Sequence, residues 1–284
     1  MRPFVLFLLL LTGCAAAGHP DLRGLENCAW RVCVRAINLP SGPAYQALNR
    51  EPVPVTIVLT FRSQGNLRPL ADGPIERVVP PESDMILVRM RNIVQDWSIS
   101  PELSISIDLG SSTTEADADH LYAVPFGGNR PRELSQGFNG AGSHLASMRY
   151  SLDFAMPRGT PVLAARAGTV LYLQDGFTEG GTDPDLLEQA NLVVVAHSDG
   201  TMASYGHLSR GIPVSTGDTV AEGDLLGLSG ATGFAGRPHL HFHVGQRMLR
   251  APGRTVPVKL RDREGNVLDL AAGTWIEPTR TILR

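Results

Sequence analysis

Apolar and polar residues alternate over much of this chain in short runs broken by glycine and proline. Between Cys28 and Asp108 the runs Val53–Thr60, Met85–Met90 and Leu103–Asp108 are alternating or wholly apolar, with turn pairs such as Gly65-Asn66 and Pro80-Pro81 between such runs. Side chains on a strand point to opposite faces in turn, so this pattern predicts strands and not helices. Several short strands in succession predict a small β-sandwich over residues 28–109. It contains no catalytic constellation and reads as a scaffold, spacer or recognition module. Gly110–Asp119 is small and polar and predicts a linker or long loop.

A second series of strands is expected over residues 120–284: Leu152–Met156, Val162–Ala165, Thr169–Leu173, Leu192–Ala196, Met202–Tyr205 and His239–Val244. Glycines such as Gly159, Gly168, Gly200 and Gly217 mark the turns, and the whole reads as a twisted antiparallel β domain. The chain is therefore expected to be all-β. A polar stretch from Gln174 to Asn191 interrupts the series, with a helical turn expected at Asp185–Gln189. A loop that long inside a compact domain is more often functional than idle.

Composition narrows the classes. With 284 residues, 43% of them hydrophobic, the chain can build one large or two modest cores. A net charge of -3 offers no basic patch, which argues against a nucleic-acid partner. Arg2 followed by the apolar Phe4–Leu11 reads as a targeting segment too short to span a bilayer. Leu11-Thr12-Gly13-Cys14 resembles the bacterial lipobox. That resemblance implies a signal peptide over residues 1–13, a lipidated Cys14 anchoring the chain to a membrane, and a tether over residues 14–27. Ala15 after that cysteine implies a periplasmic protein held at the outer membrane. The alternative is an ordinary signal cut within Ala15-Ala16-Ala17; both readings export the chain. Cys28 and Cys33 remain, and in an oxidising compartment they are expected to pair as a local disulfide.

The chemistry concentrates in Arg-Pro-His-Leu-His-Phe-His, residues 237–243. On a strand His239 and His241 share one face while Leu240 and Phe242 point into a core. Paired imidazoles are poor core material and good zinc ligands, although a chance surface cluster is the bland alternative. Asp153 is the lone carboxylate in Tyr150–Met156 and faces away from Leu152 and Phe154. His207 follows a strand, and His144 sits in the glycine-rich run Gly137–His144. Singly, each has a structural explanation; together with the histidine pair they point to a metal site.

The stretches Leu152–Val162, Ala164–Val170, Tyr205–Ser209, Gly217–Gly223, Gly227–Gly233 and His239–Phe242 resemble the catalytic domain of lysostaphin-type (LytM-like) zinc metallopeptidases over residues 136–245. The resemblance implies a lysostaphin-like sheet, peptidoglycan peptides as substrate and Zn2+ as cofactor. It makes Asp153 and His241 zinc ligands, and His207 and His239 the non-ligating catalytic histidines. One departure stands out. The family's remaining ligand is a histidine four residues before the aspartate, where this chain has Arg149, whose guanidinium cannot ligate. His144 is assigned that role, with His243 as the fallback.

Three ligands leave one tetrahedral position open, as in catalytic zinc sites. His207 or His239 would then act as general base, and Tyr205 could either add a donor from the cleft or simply pack at the strand end. His120 and His197 are read as structural or solvent-facing. A rival is a catalytically silent relative that binds and activates a cell-wall amidase; a purely structural β module is the other.

Overall fold

The computed structural model describes residues 26–63, 67–70, 73–92, 102–248 and 255–279. Residues 1–13, Cys14 and the tether as far as residue 25 lie outside them. The protein is nearly all β and falls into two compact units that meet in sequence at Thr113 and Thr114.

The first unit is a small sandwich of two antiparallel sheets. One runs Glu26–Ala29, Val32–Leu39, Gly42–Asn49, Ser83–Asn92 and Leu67–Pro69; the other contains Glu102–Gly110, Val55–Ser63 and Ile75–Val79. Period-two burial follows the sequence: Val32 and Val34 are buried, as are Val55, Ile57 and Leu59. Cys28 and Cys33 face each other across the first hairpin and are disulfide-bonded. Buried Asn49 ties a corner together. Its side-chain amide donates to the carbonyls of Val53, Val79 and Pro80, and its oxygen accepts from the amide of Glu51.

The second unit is built on one antiparallel sheet. Its order is Thr219–Val220, Gly168–Gln174, Asn191–Ala196, Met202–Leu208, His239–Gly245, Leu152–Ala155, Arg132–Gln136 and Trp275–Ile276, with Thr255–Val256 also pairing His239–Gly245. One face carries the core, including Leu134, Leu152, Phe154, Tyr205, Leu240 and Phe242. Two short parallel pairs lie outside this sheet, Leu121–Ala123 with Lys259–Arg261 and Gly180–Gly181 with Gly233–Phe234. The 174–191 loop holds a 3-10 turn at Pro184–Leu186, starting one residue before the expected Asp185–Gln189 turn and ending three before it. Asp183 caps that turn by accepting from the amide of Asp185. The base of the loop is fastened by buried Asn191, which exchanges hydrogen bonds with the backbone of Phe177.

Candidate metal centre and catalytic histidines

Asp153 and His241 sit directly opposite each other on adjacent antiparallel strands. Their neighbours Leu152, Phe154, Leu240 and Phe242 are fully buried on the core face, so strand alternation puts the two polar side chains on the open face. There His241 Nδ1 lies 2.8 Å from Asp153 Oδ1.

His144 reaches the same oxygen from the loop that follows the strand Arg132–Gln136. That loop is wrapped around the side chain of Gln136, whose oxygen accepts from the amide of Gly142 and whose NH2 donates to Ser143 Oγ and to Asp153 Oδ2. The wrapping demands glycine: a Cβ on Gly140 would stand 2.2 Å from Gln136 Cγ. His144 is completely buried and donates from Nδ1 to the carbonyl of Gly137 at 2.9 Å. Its Nε2 is then a lone-pair nitrogen, 3.1 Å from Asp153 Oδ1 and without a hydrogen bond of its own.

A lone pair aimed at a carboxylate oxygen in a dry site requires a positive charge between or upon them. The charge balance agrees. Burial opposes ionisation of Asp153, yet His144 and His241 outweigh it and hold the carboxyl well below its usual range. Burial likewise opposes a charge on His144, and Asp153 beside it drives its pKa upward overall. The ligand atoms of His144, Asp153 and His241 all lie within 4.8 Å of one another. Neighbouring ligands on a tetrahedral zinc stand about 3.3 Å apart, so this nitrogen, oxygen, nitrogen set fits such an ion.

The second pair of histidines lines the same face. In the strand Met202–Leu208, Gly206 pairs with Leu192 and Leu208 with Asn191, leaving His207 as an extra, bulged residue with φ of 61°. The bulge turns its ring toward His239, 4.5 Å away between centroids. His207 Nδ1 donates to the carbonyl of Thr232 at 2.7 Å, and His239 Nδ1 to that of Arg237 at 2.9 Å. Both rings therefore carry their lone pair on Nε2, and that of His239 lies 3.9 Å from Asp153 Oδ1. Burial, then the neighbouring His239 and His241, push His207 down to about 3. Burial also lowers His239, so both imidazoles are neutral at neutral pH.

Residues 147–252 match the sequence profile of Peptidase family M23. The chain carries a peptidase family M23 domain. It is 39% identical over 92 residues to the Peptidoglycan DD-endopeptidase ShyA of Vibrio cholerae serotype O1, covering 32% of this chain and 19% of that protein. It is 37% identical over 105 residues to Lysostaphin of Staphylococcus simulans (37% of this chain, 19% of that one). Over 93 residues it is 37% identical to the Cell division protein DipM of Caulobacter vibrioides (33% and 14%). The chain thus spans less than a quarter of the length of each of these relatives. Among solved structures, a variant catalytic domain of the prophage-encoded M23 protein EnpA from Enterococcus faecalis aligns with a TM-score of 0.36 at 26% identity, over 48% of this chain and 94% of that one.

The M23 match takes in Asp153, His207, His239 and His241 and stops three residues short of His144. Arg149 is exposed, with Nε donating to the carbonyl of Ala146 and the guanidinium 5.8 Å from the Tyr150 ring, away from the cluster. Tyr205 takes the packing role and not the donor role. It is fully buried against Phe242, and its hydroxyl accepts from the amide of Ala165, so it gives the cleft no donor. The bulge explains this: alternation would put Tyr205 and His207 on one face, and the extra residue breaks the phase. His243 is not among the clustered ligands; its Nδ1 lies 3.1 Å from His241 Nε2, the ring atom turned away from Asp153. Gln136 drew no attention in the sequence, where its one signal is a polar residue ending a strand just before a glycine-rich loop. His197 is buried and donates from Nδ1 to the carbonyl of Ala167, a structural arrangement.

Proposed function

We propose that the chain is a zinc-dependent endopeptidase, exported and anchored through a lipidated Cys14, that hydrolyses peptide bonds in peptidoglycan stem peptides or cross-bridges. In this reading residues 1–13 are the signal, 14–27 a tether, 28–109 an accessory sandwich and 120–284 the catalytic domain. The observation that carries it is the meeting of His144 Nε2 and His241 Nδ1 on Asp153 Oδ1 beside two neutral histidines. His144, Asp153 and His241 hold the ion; when bound, zinc supplies Lewis acidity toward a carbonyl and acidifies water. His207 and His239 each offer an Nε2 lone pair over the site. One accepts a proton from the attacking water and the pair returns it to the departing amine. The carbonyls of Thr232 and Arg237 keep these rings in the accepting tautomer. A depression lined by Glu133, Met156, Pro157, Arg237, Pro238 and Trp275 adjoins His239 and gives an extended peptide room on one side of the cleaved bond.

A second reading is a silent relative that activates a cell-wall amidase. Arg149 at the position of a usual ligand favours it, as does a family match that stops short of His144. Purified full-length protein separates the two. The peptidase reading expects about one zinc per chain, chelator-sensitive release of peptide fragments from purified peptidoglycan, and loss of both in His144→Ala. A metal-free wild type that releases nothing, yet stimulates an amidase, would establish the second.

A further inference from the structure

His243 follows His241 by two residues on the strand His239–Gly245 and so shares its face, opposite Ser204 of the neighbouring strand. It is buried, and Asp153 Oδ1, His241 and His243 Nδ1 form a file: 2.8 Å from the carboxylate to His241 Nδ1, then 3.1 Å from His241 Nε2 to His243. With one proton on each ring the file has two arrangements. In the first, His243 Nδ1 donates to His241 Nε2, and His241 Nδ1 donates to Asp153. In the second, His241 Nε2 donates to His243 Nδ1, and His241 Nδ1 is a bare lone pair directed at the cluster.

We propose that His243 is a positioning residue: as a buried acceptor for His241 Nε2–H it holds His241 in the tautomer whose Nδ1 can bind a metal ion. The proposal rests on the metal-site reading above. Passing from the first arrangement to the second, His241 releases its Nδ1 proton to solvent and takes the Nδ1 proton of His243 on Nε2. His243 regains a proton on its own Nε2, so the count of bound protons is unchanged. Partners of this kind fix ring orientation and raise ligand basicity, and their removal typically weakens metal binding about 10- to 100-fold. Without His243 the His241 Nε2–H would lose the acceptor that the described residues give it, which favours the other tautomer.

Two substitutions and one spectrum test this on the full chain. In His243→Asn the side-chain oxygen falls where Nδ1 was, so zinc affinity measured against a chromophoric chelator should stay within about threefold of wild type. In His243→Leu, of similar bulk but with no acceptor, it should drop about 10- to 100-fold while the circular dichroism and melting temperature show a folded protein. Should the leucine variant fail to fold, 15N ring shifts of the zinc-loaded wild type decide the matter. They should show His241 protonated at Nε2 and His243 bare at Nδ1; a proton on His243 Nδ1 overturns the proposal. Equal zinc affinity in wild type and His243→Leu overturns it too, as does an asparagine variant as weak as the leucine one. A wild type that binds no zinc brings down the metal-site reading and this proposal together, an outcome distinct from tight binding that ignores position 243.

Discussion

Both units bury polar side chains, and they use them differently. In the sandwich, Asn49 spends its whole hydrogen-bonding capacity on backbone groups, and Thr56 bonds the carbonyl of Gly110 and the amide of Ser112. Such groups fix corners and leave nothing over for a ligand. In the second unit His144, Asp153, His241 and His243 point at one another, and His144 Nε2 stands 3.1 Å from the Asp153 Oδ1 that His241 also meets. Buried polarity spent wholly on the backbone makes a fold; buried polarity that converges on other titratable side chains makes a site.

The sharpest test of that contrast is Asp153→Ala. Removing the shared oxygen should cost zinc binding and at least about 10³-fold in peptidoglycan hydrolysis, roughly 4 kcal/mol in the barrier. Metal analysis and a fragment-release assay read both, and a variant that keeps its zinc would break the contrast. Next in size is the pH dependence of stability. Burial pushes His197 down to about 4 from 6.5, so the unfolded chain protonates it more readily than the folded one. Its contribution is complete above pH 6.5 and is lost as the pH falls toward 4, by about 3 kcal/mol. Denaturant melts across that range should show the slope, and His197→Asn should lessen it, leaving the part due to buried His207, which is also pushed down, to about 3. Asn49→Ala in the sandwich should lower stability by about 2 kcal/mol, because several buried backbone groups lose their partner, while zinc content stays at the wild-type level. The smallest effect is expected for Gln136→Ala. Freeing the glycine loop that carries His144 should weaken zinc affinity about tenfold, read by chelator competition, with little change in melting temperature.

How much of this was legible in the sequence depended on unbroken strand periodicity. Alternation alone set Asp153 and His241 opposite Leu152, Phe154, Leu240 and Phe242, and the structure has them on that face. The same rule misplaced Tyr205, because it carries across a strand only while one residue opposes one residue. The bulge at His207 adds an unmatched residue, and nothing in Tyr-Gly-His-Leu announces it. The contacts of Gln136 and His243 escaped for another reason. What they do depends on register and loop path, which bring residues 17 and two positions away within hydrogen-bonding distance of them. Spacing along the chain carries no trace of the first, and for the second it gives a shared face without saying which ring atom meets which. The strands and their facing were readable; the partners of each polar atom were not.

The joint between the 174–191 loop and the wall of the cleft is glycine against glycine. Gly180 pairs with Gly233, and a Cβ on Gly180 would stand 1.6 Å from the carbonyl oxygen of Ala231. Backbone alone makes this seam, one residue from the Thr232 carbonyl that orients His207. The path of the 174–191 loop past Thr232 is therefore fixed at this point by peptide groups rather than by a side chain that a substitution could remove.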